Sequence, residues 1–284
     1  MSRAHLSTRS LTSSEESSQP LTVLITGCTS GIGEALAREF ARQGHNIVGC
    51  GRRLKNLENL SNELGRNSFG QHHFFQCDVG DYNSVVRFRE KVRANGLEVD
   101  ILIANAGTAI RPGRLYEISL QEFNRIMKIN VTGVFHTFKA FVGDMVAASQ
   151  KSGSPLKRVV GISSGLAHST SPVMGPYSVS KIAVEYMCKS MAQLFHFEDK
   201  ENIICVPYAP GVVTTEMMRD KNNSIPSDEW SKKAVPFILT WKPEQNGASM
   251  VTPHAYSKEY QSTWIIPDGM PISTRVVRPS SNDN

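Results

Sequence analysis

The sequence predicts a single α/β domain, doubly wound, with a mostly parallel β-sheet and helices packed on both faces. Short apolar runs alternate with longer amphipathic stretches from Leu21 onward, which is the pattern of consecutive strand–helix–strand units. The chain has 284 residues, which fits one domain of this class, and its 40% hydrophobic residues can bury a substantial core. A glycine-rich turn between the first strand and the first helix is a further, independent indication of the same class.

The alternating pattern defines the strands and helices of the first two thirds of the chain. Strands are predicted at residues 21–26, 46–50, 73–77, 101–104, 158–163 and 202–206. Helices are predicted near residues 32–43, 54–64, 82–94, 120–149 and 176–197. Beyond residue 206 the strand signal is weak, and only residues 262–266 suggest one last strand.

The folded domain is predicted to span residues 21–272, between a polar tail at residues 1–20 and a second polar tail at residues 273–284. The first tail is rich in serine and cannot bury enough apolar surface to fold alone. Its early arginines faintly resemble an organelle transit peptide, but Glu15 and Glu16 break that pattern. We therefore expect a cytoplasmic location, with organelle targeting as the alternative.

Composition excludes several classes of function. The net charge is +5 and scattered, so nucleic acid is not an expected partner. No apolar run approaches the roughly 18 residues of a membrane-spanning helix, and none is predicted. The five cysteines include no C-x-x-C pair, which argues against a disulfide scaffold and against a metal site.

The first predicted strand leads directly into the glycine-rich turn and then into an amphipathic helix. The turn has the spacing G-x-x-x-G-x-G rather than the more common G-x-G-x-x-G. Glycines allow a phosphate to approach the backbone closely, and a helix N-terminus offers free N–H groups. A turn that only packs the helix on the strand is the alternative. We predict a dinucleotide-binding site that includes Gly27, Thr29, Ser30, Gly31, Ile32 and Gly33.

The end of the second strand carries the signal for the type of dinucleotide. In many dinucleotide enzymes an acidic residue here binds the ribose 2′-hydroxyl of NAD(H), whereas an arginine accommodates the 2′-phosphate of NADP(H). Here Gly51 is followed by Arg52 and Arg53, with no acid. Because planar guanidinium groups pair well with a phosphate dianion, the sequence favours NADP(H) over NAD(H).

Tyr177 and Lys181 lie four residues apart in a predicted helix and so share one of its faces. A free tyrosine has a pKa near 10, and a nearby cation lowers that pKa by favouring the phenolate. The pair is therefore a candidate general acid/base. The pattern alone is weak, because tyrosine and lysine at this spacing are commonly only neighbours on a helix.

The glycine turn and the Tyr177–Lys181 pair together resemble the short-chain dehydrogenase/reductase family, in its single-domain form with a Rossmann-type fold. Further motifs agree in order over roughly residues 21–217, whereas the glycine-rich last strand of the family has only a weak counterpart at residues 264–270. The resemblance implies a catalytic set of Asn130, Ser164, Tyr177 and Lys181. It implies further cofactor contacts from Tyr177, Lys181, Asp78, Val79, Asn105, Ala106, Gly107, Pro210, Gly211, Val213 and Thr215.

The resemblance also implies a reaction, in which a hydride passes between the nicotinamide of NADP(H) and the carbon of a small carbonyl or alcohol substrate. Ser164 would bind the carbonyl oxygen, and Tyr177 would protonate the developing alkoxide. Lys181 would lower the pKa of Tyr177 and bind the nicotinamide ribose, and Asn130 would position a water beside Lys181. A loop at about residues 211–240 would grip the substrate. Members of the family usually assemble as homodimers or homotetramers through their long helices.

Three other functions fit part of the sequence. An NAD-dependent alcohol dehydrogenase of the same family would share every motif except the arginine pair. A non-catalytic dinucleotide-binding module would not need Ser164 and Tyr177, and this chain has both residues. A serine hydrolase is suggested by Gly161-Ile162-Ser163-Ser164-Gly165, which spells G-x-S-x-G with Ser163 as the nucleophile, although the residues that follow do not look helical.

Overall fold

A computed structural model describes residues 19–216 and 224–251, together with the backbone of a short strand at residues 276–277. In chain order the strands are β1 (Thr22–Thr26), β2 (Asn46–Gly51), β3 (His72–Gln76), β4 (Ile101–Ala104), β5 (Lys157–Ile162), β6 (Ile203–Ala209), β7 (Val213–Thr214), β8 (Ile225–Pro226), β9 (Ser249–Val251) and β10 (Val276–Val277). The α-helices are α1 (Gly31–Arg42), α2 (Leu54–Asn67), α3 (Tyr82–Ala94), α4 (Leu120–Met127), α5 (Gly133–Ser149), α6 (Gly175–Phe197) and α7 (Ser227–Leu239).

The main sheet has the strand order β10-β9-β6-β5-β4-β1-β2-β3, and every neighbouring pair in it is parallel. The order reverses between β1 and β4, so the chain first builds outward on one side of β1 and then on the other. Loops from both sides meet at this switch point, where ligands bind in open α/β sheets. The doubly wound fold that the sequence predicts is confirmed.

Apolar side chains cover both faces of the sheet. On one face, α1, α2 and α7 pack through residues such as Phe40 and Trp230. On the other face, α3, α5 and α6 pack through residues such as Phe88 and Phe195. Because both faces are covered, the strands read as nearly continuous apolar runs, which explains why they were visible in the sequence.

The single helix predicted at residues 120–149 is wrong, because it is two α-helices joined by a π-helical turn at Lys128–Thr132. The side chain of Asn130 in this turn is buried and hydrogen-bonded to the backbone of Thr108. A π turn accommodates one extra residue without ending the helix, so the apolar periodicity continues through it and cannot reveal it.

The chain beyond residue 206 contains more structure than the sequence indicated. Strand β6 continues through Pro207 to Ala209, and α7 and β9 were not predicted. The apolar residues of α7 do have helical spacing, but Pro236 inside the helix and the polar residues around it mask the pattern. Residues 262–266 lie outside the described residues, and β10 falls within the segment that was predicted as a polar tail.

Candidate active site

A cleft of about 1020 Å³ opens at the carboxyl ends of the strands. Loops that follow β1, β2, β3, β4, β5 and β6 all reach it. Every residue that the sequence predicted for the site lines this cleft except Gly33 and Asn130, which lie behind its wall. The lining residues from that prediction are Gly27, Thr29, Ser30, Gly31, Ile32, Arg52, Arg53, Asp78, Val79, Asn105, Ala106, Gly107, Ser164, Tyr177, Lys181, Pro210, Gly211, Val213 and Thr215.

The glycine turn has a conformation that requires its glycines. Gly27 and Gly31 have φ angles of 69° and 58°, a region that side chains disfavour. Gly33 packs so tightly that a Cβ atom there would lie 2.5 Å from the carbonyl oxygen of Gly27 and would also meet Asn105. The amide of Asn105 donates to the carbonyl oxygens of Thr26 (2.9 Å) and Gly27 (3.1 Å). Gly33 and Asn105 therefore fix the shape of the turn from behind.

The N-terminus of α1 faces this cleft and fits the diphosphate of a dinucleotide. The N-cap residue Ser30 makes no side-chain capping hydrogen bond, so the N–H groups of the first helical turn remain for a ligand. These groups and the helix dipole attract a phosphate. Thr215 lies against Gly31, within 3.0 Å of where a Cβ atom would be, and so borders the same space.

Arg52 and Arg53 lie side by side at the rim but differ in their contacts. The guanidinium of Arg53 donates to the carbonyl oxygen of Thr29 at 2.9 Å and forms an ion pair with Glu216 at 3.2 Å. The side chain of Arg52 is exposed and has no ion pair within the described part of the chain. Both residues line the cleft beside the glycine turn.

The loop after β3 forms another wall of the cleft. The carboxylate of Asp78 accepts a hydrogen bond from the backbone N–H of Gly80 at 2.9 Å, which shapes this loop. The side chain of Val79 is buried against Gly133 of α5, where a Cβ atom would lie 2.7 Å from it. His136 hydrogen-bonds the carbonyl oxygen of Val79 at 2.8 Å. These contacts hold the loop at the cleft, which Asp78 and Val79 line; their contact with a cofactor stays a prediction.

Asn130 is buried in the π turn and anchors the loop after β4. Its Nδ2 donates to the carbonyl oxygen of Thr108 at 2.9 Å and to Ser180 Oγ at 3.0 Å, and its Oδ1 accepts from the N–H of Thr108 at 2.8 Å. Asn130 thereby joins this loop to α6, the helix of Tyr177 and Lys181. The water that the family resemblance expects beside Asn130 stays a prediction.

Ser164, Tyr177 and Lys181 meet where β5 and the start of α6 border the cleft. Helix α6 begins at Gly175 with a proline in its first turn, which is a favourable position for proline. The Nζ of Lys181 lies 5.6 Å from the centroid of the Tyr177 ring and donates to the carbonyl oxygen of Ile162 at 2.7 Å. Ser164 accepts a hydrogen bond from the N–H of Leu166 at 3.3 Å, which closes a 3₁₀ turn at Gly165–Ala167.

Burial governs the protonation of this cluster. Burial raises the pKa of Tyr177 above its ordinary value of 10.0, and hydrogen bonding with Ser164 only partly opposes that change. Burial also lowers the pKa of Lys181 to about 8. The sequence led us to expect a lowered pKa for Tyr177, and for the protein without its cofactor this is wrong, because desolvation of the phenolate outweighs the hydrogen bond with Ser164.

Sequence reasoning missed the residues that shape the other end of the cleft. Arg125 of α4 donates to Thr108 Oγ1 at 2.7 Å and to the carbonyl oxygen of Ala109 at 3.0 Å, so it fixes the loop after β4. No motif marks this arginine. The apolar part of the lining includes Ile110, Ile129, Leu166, Met174 and Val212. Residues 217–223 of the loop that the sequence predicted to grip the substrate lie outside the described residues.

The serine hydrolase alternative does not fit the geometry. Ser163 is only 2% exposed, and its hydroxyl donates to the carboxylate of Glu185 at 2.9 Å rather than to a histidine. A single 3₁₀ turn follows it instead of the helix that a nucleophile elbow requires. Within the described residues, no helix has the length and apolar character to cross a membrane, and no cluster of side chains suits a metal ion.

Several known proteins are similar to this chain over most of its length. The NADPH-dependent pterin aldehyde reductase of Arabidopsis thaliana is 32% identical over 234 residues, which cover 81% of this chain and 92% of that protein. An alcohol dehydrogenase from the archaeon Thermococcus sibiricus, solved in complex with 5-hydroxy-NADP, matches with a TM-score of 0.72 and 26% identity, over 84% of this chain and 99% of that one. An NAD⁺-bound xylitol dehydrogenase matches with a TM-score of 0.62 and 26% identity, over 68% and 71% of the two chains.

A match to a family model identifies the family of this chain. The model for the family described as short chain dehydrogenase matches residues 21–226, which include the glycine turn, the Tyr177–Lys181 pair and the loop after β6. The relatives above are oxidoreductases by name, and the archaeal alcohol dehydrogenase shares the fold over 84% of this chain. This protein is therefore an oxidoreductase that belongs to the short-chain dehydrogenase/reductase family.

Proposed function

We propose that the protein is an NADP(H)-dependent reductase that converts a ketone or an aldehyde to an alcohol. The observation that carries the proposal is the meeting of Ser164, Tyr177 and Lys181 in one cleft with the glycine turn. A non-catalytic dinucleotide-binding module would not require these three side chains to converge. The convergence therefore favours an enzyme whose chemistry takes place between α6 and the glycine turn.

Each side chain has a role that its position supports. The bound dinucleotide would supply a hydride to the substrate carbon and leave in its oxidised form. Ser164, at the end of β5, would donate a hydrogen bond to the carbonyl oxygen and orient it. Tyr177 would give its proton to that oxygen as negative charge develops there, which yields the alcohol. The ammonium of Lys181 would stabilise the resulting tyrosinate and bind the nicotinamide ribose.

The protonation state of Tyr177 fits its proposed role as the acid in carbonyl reduction. Because its pKa lies above the ordinary value, the phenol is protonated at neutral pH, and a protonated phenol is the form that a reductase requires. Alcohol oxidation would need the tyrosinate as a base. The same burial keeps the pKa of Lys181 near 8, so this side chain is mostly charged at neutral pH.

The arginine pair supports NADP(H) as the cofactor. Arg52 and Arg53 border the cleft next to the glycine turn. The end of β2 has no acidic residue that could bind the ribose 2′-hydroxyl of NAD(H). The pterin aldehyde reductase is NADPH-dependent by name, and the archaeal alcohol dehydrogenase was solved with an NADP derivative. The xylitol dehydrogenase binds NAD⁺, so an NAD-dependent alcohol dehydrogenase remains the alternative function.

The assembly is also a proposal. Large apolar side chains are exposed on the long helices, among them Phe135 of α5 (52% exposed) and Leu194 (45%) and Phe197 (85%) of α6. Exposed apolar patches of this kind commonly mark protein–protein interfaces. We propose a homodimer or homotetramer that is formed through these helices.

The reaction is tested by NADPH oxidation with a panel of aldehydes, a pterin aldehyde among them, and of ketones. We expect turnover with at least one aldehyde, and we expect Tyr177→Phe to lower kcat by about 10²–10⁴-fold while NADPH binding is unchanged. Tyr186→Phe is the matched control, because Tyr186 is a tyrosine on the same helix with 70% exposure. A Tyr177→Phe variant with wild-type turnover would overturn the proposed role of Tyr177.

A further inference from the structure

Glu185 is a buried carboxylate that the proposed reaction does not use. It lies on α6, one helical turn beyond Lys181 and two turns beyond Tyr177, and it is only 3% exposed. Residues spaced by four along a helix share a face, so all three side chains lie on the side of α6 that meets the end of β5. A buried carboxylate is costly unless it is paired, and its partners are therefore informative.

The partners of Glu185 come from three separate parts of the fold. Its Oε1 accepts hydrogen bonds from Ser163 Oγ at 2.9 Å and from His168 Nε2. Its Oε2 accepts from Ser249 Oγ of β9 at 2.9 Å and forms an ion pair with Lys189 at 3.5 Å. Glu185 thus ties α6 to the chain after β5 through one oxygen and to β9 through the other.

Glu185 is held in its ionised form. Burial raises its pKa, but the hydrogen bond and charge of His168, the charge of Lys189 and the hydrogen bond from Ser249 together bring the pKa below its ordinary value. An ionised acceptor makes shorter and stronger hydrogen bonds than a neutral one, roughly twice as strong. The contacts to Ser163 and His168 are therefore stronger restraints than ordinary side-chain hydrogen bonds.

Ser163 and His168 flank Ser164, the residue that would bind the carbonyl oxygen of the substrate. Ser163 immediately precedes Ser164, and His168 immediately follows the 3₁₀ turn at Gly165–Ala167. Both ends of the short segment that contains Ser164 are thus fastened to one oxygen of Glu185. That oxygen belongs to the same rigid helix as Tyr177, so the distance between the Ser164 and Tyr177 hydroxyl groups depends on these two contacts.

We propose that Glu185 is a positioning residue. Its contacts with Ser163 and His168 hold the hydroxyl group of Ser164 at the distance from the hydroxyl group of Tyr177 that reduction of the carbonyl group requires. The proposal rests on the proposed function, because it assumes that Ser164 and Tyr177 act on one substrate oxygen. A displacement of about 1 Å between two catalytic groups is enough to lower a rate by about 100-fold.

The arrangement is different from a hydrolytic triad. In a triad the histidine lies between the serine and the carboxylate and takes the serine proton. Here the hydroxyl of Ser163 donates directly to Glu185, which also binds His168. A carboxylate in the central position organises its neighbours and does not activate the serine as a nucleophile.

The best test alters His168, because removing the buried Glu185 would leave its partners without an acceptor and endanger folding. The side chain of His168 is 21% exposed, so substitutions there are tolerated more easily. His168→Gln keeps an N–H donor at about the position of Nε2, whereas His168→Asn is too short to reach Glu185. We expect His168→Asn to lower kcat by about 10-fold or more and His168→Gln to retain kcat within about threefold, both with unchanged NADPH affinity.

Amide hydrogen exchange provides a readout that does not depend on turnover. We expect His168→Asn to speed exchange in residues 164–168 by about 10-fold or more, and we expect His168→Gln to leave it near the wild-type rate. Ser249→Ala is the matched control, since it removes a hydrogen bond from the other oxygen of Glu185. This control should lower the melting temperature without changing kcat or the exchange of residues 164–168.

The outcomes separate this proposal from the proposed function. Wild-type protein that reduces no carbonyl compound contradicts the proposed function, while loop exchange still reports whether His168 restrains Ser164. An active wild type with equal kcat and equal exchange in both His168 variants overturns the positioning role and leaves the proposed function intact. A loss of melting temperature alone, equal in His168→Asn and Ser249→Ala, also overturns it, because that result describes a purely structural contact.

Discussion

The part of the chain that forms the glycine turn and the part that closes the cleft are built in different ways. Residues 19–107 form β1–β4 and α1–α3, and they contribute to the site backbone groups, glycines and the side chains of Arg52 and Arg53. Residues 210–251, described except for residues 217–223, place α7 and β9 beside β6 through large side chains. In the first region, spacing along the chain determines the site. In the second, contacts between distant residues determine it.

Aromatic packing shows how the second region is held. Trp230 of α7 is fully buried, its ring lies 6.0 Å from that of Tyr208, and its indole N–H donates to the carbonyl oxygen of Pro210 at 2.9 Å. Trp241 packs against Tyr208 at 5.5 Å. Helix α7 also packs against α1, the helix that follows the glycine turn. This contact stabilises residues 210–251, the closing region. The two regions therefore respond differently to substitution.

The largest effect is expected from a single methyl group in the glycine turn. Gly33→Ala would place its Cβ against the carbonyl oxygen of Gly27 and the amide of Asn105, and neither can move without changing the turn. We expect NADPH affinity to fall by about 100-fold or more, as measured by fluorescence titration. Gly65→Ala is the control, because Gly65 lies in α2 with open space around it. It should raise stability by about 0.5–1 kcal/mol, and equal effects of both variants would contradict this account.

A substitution in the closing region should reduce stability rather than binding alone. Trp230→Ala removes a fully buried indole and should cost about 3–5 kcal/mol of unfolding free energy, measured by urea denaturation. Trp230→Phe keeps an aromatic ring but loses the hydrogen bond to Pro210, so its cost should be clearly smaller. A stability loss that is equal in both variants would mean that ring packing contributes little to holding α7.

The pH dependence of turnover concerns α6, which lies between the two regions. Lys181 is charged below its pKa of about 8 and loses its proton as the pH rises through that value. We therefore expect kcat for carbonyl reduction to be level near pH 7 and to fall above about pH 8, at saturating NADPH and substrate. Lys181→Arg should be slower but should not show this fall, because arginine keeps its charge. A fall with the same midpoint in both proteins would assign it to another group.

The smallest effect is expected at the contact between the two regions, the ion pair of Arg53 and Glu216. Both side chains are largely exposed, so the pair contributes little to stability, but Glu216 competes with a phosphate for the guanidinium. We expect Glu216→Gln to tighten NADPH binding by about two- to fivefold and to leave NADH binding unchanged. Equal tightening of both dinucleotides would show that Glu216 acts on the cleft in general.

The sequence was sufficient where the site depends on local spacing. Gly27, Gly31 and Arg52 line the cleft as predicted, because a strand–turn–helix unit determines their positions almost alone. The family resemblance added Ser164 and Tyr177, which also line it. The roles of these residues in catalysis and cofactor binding stay predictions.

The sequence was insufficient where the structure depends on contacts between remote residues. The π turn at Asn130 follows from hydrogen bonds to Thr108, which no periodicity encodes. The contacts of Glu185 with Ser163 and His168 combine three ordinary residues that become significant only when α6 packs against β5. Desolvation also reversed the expected direction of the pKa change at Tyr177, because burial is a property of the fold and not of a motif.

We propose that this cleft binds NADPH in order to reduce a carbonyl compound, and a side-by-side fluorescence titration with NADPH and NADH tests this proposal. We expect NADPH to bind at least about 10-fold more tightly than NADH. We also expect Arg52→Ala and Arg53→Ala each to lose most of that preference with little change in NADH affinity. NADH binding as tight as NADPH binding, or a preference for NADPH that survives both substitutions, would overturn the proposal.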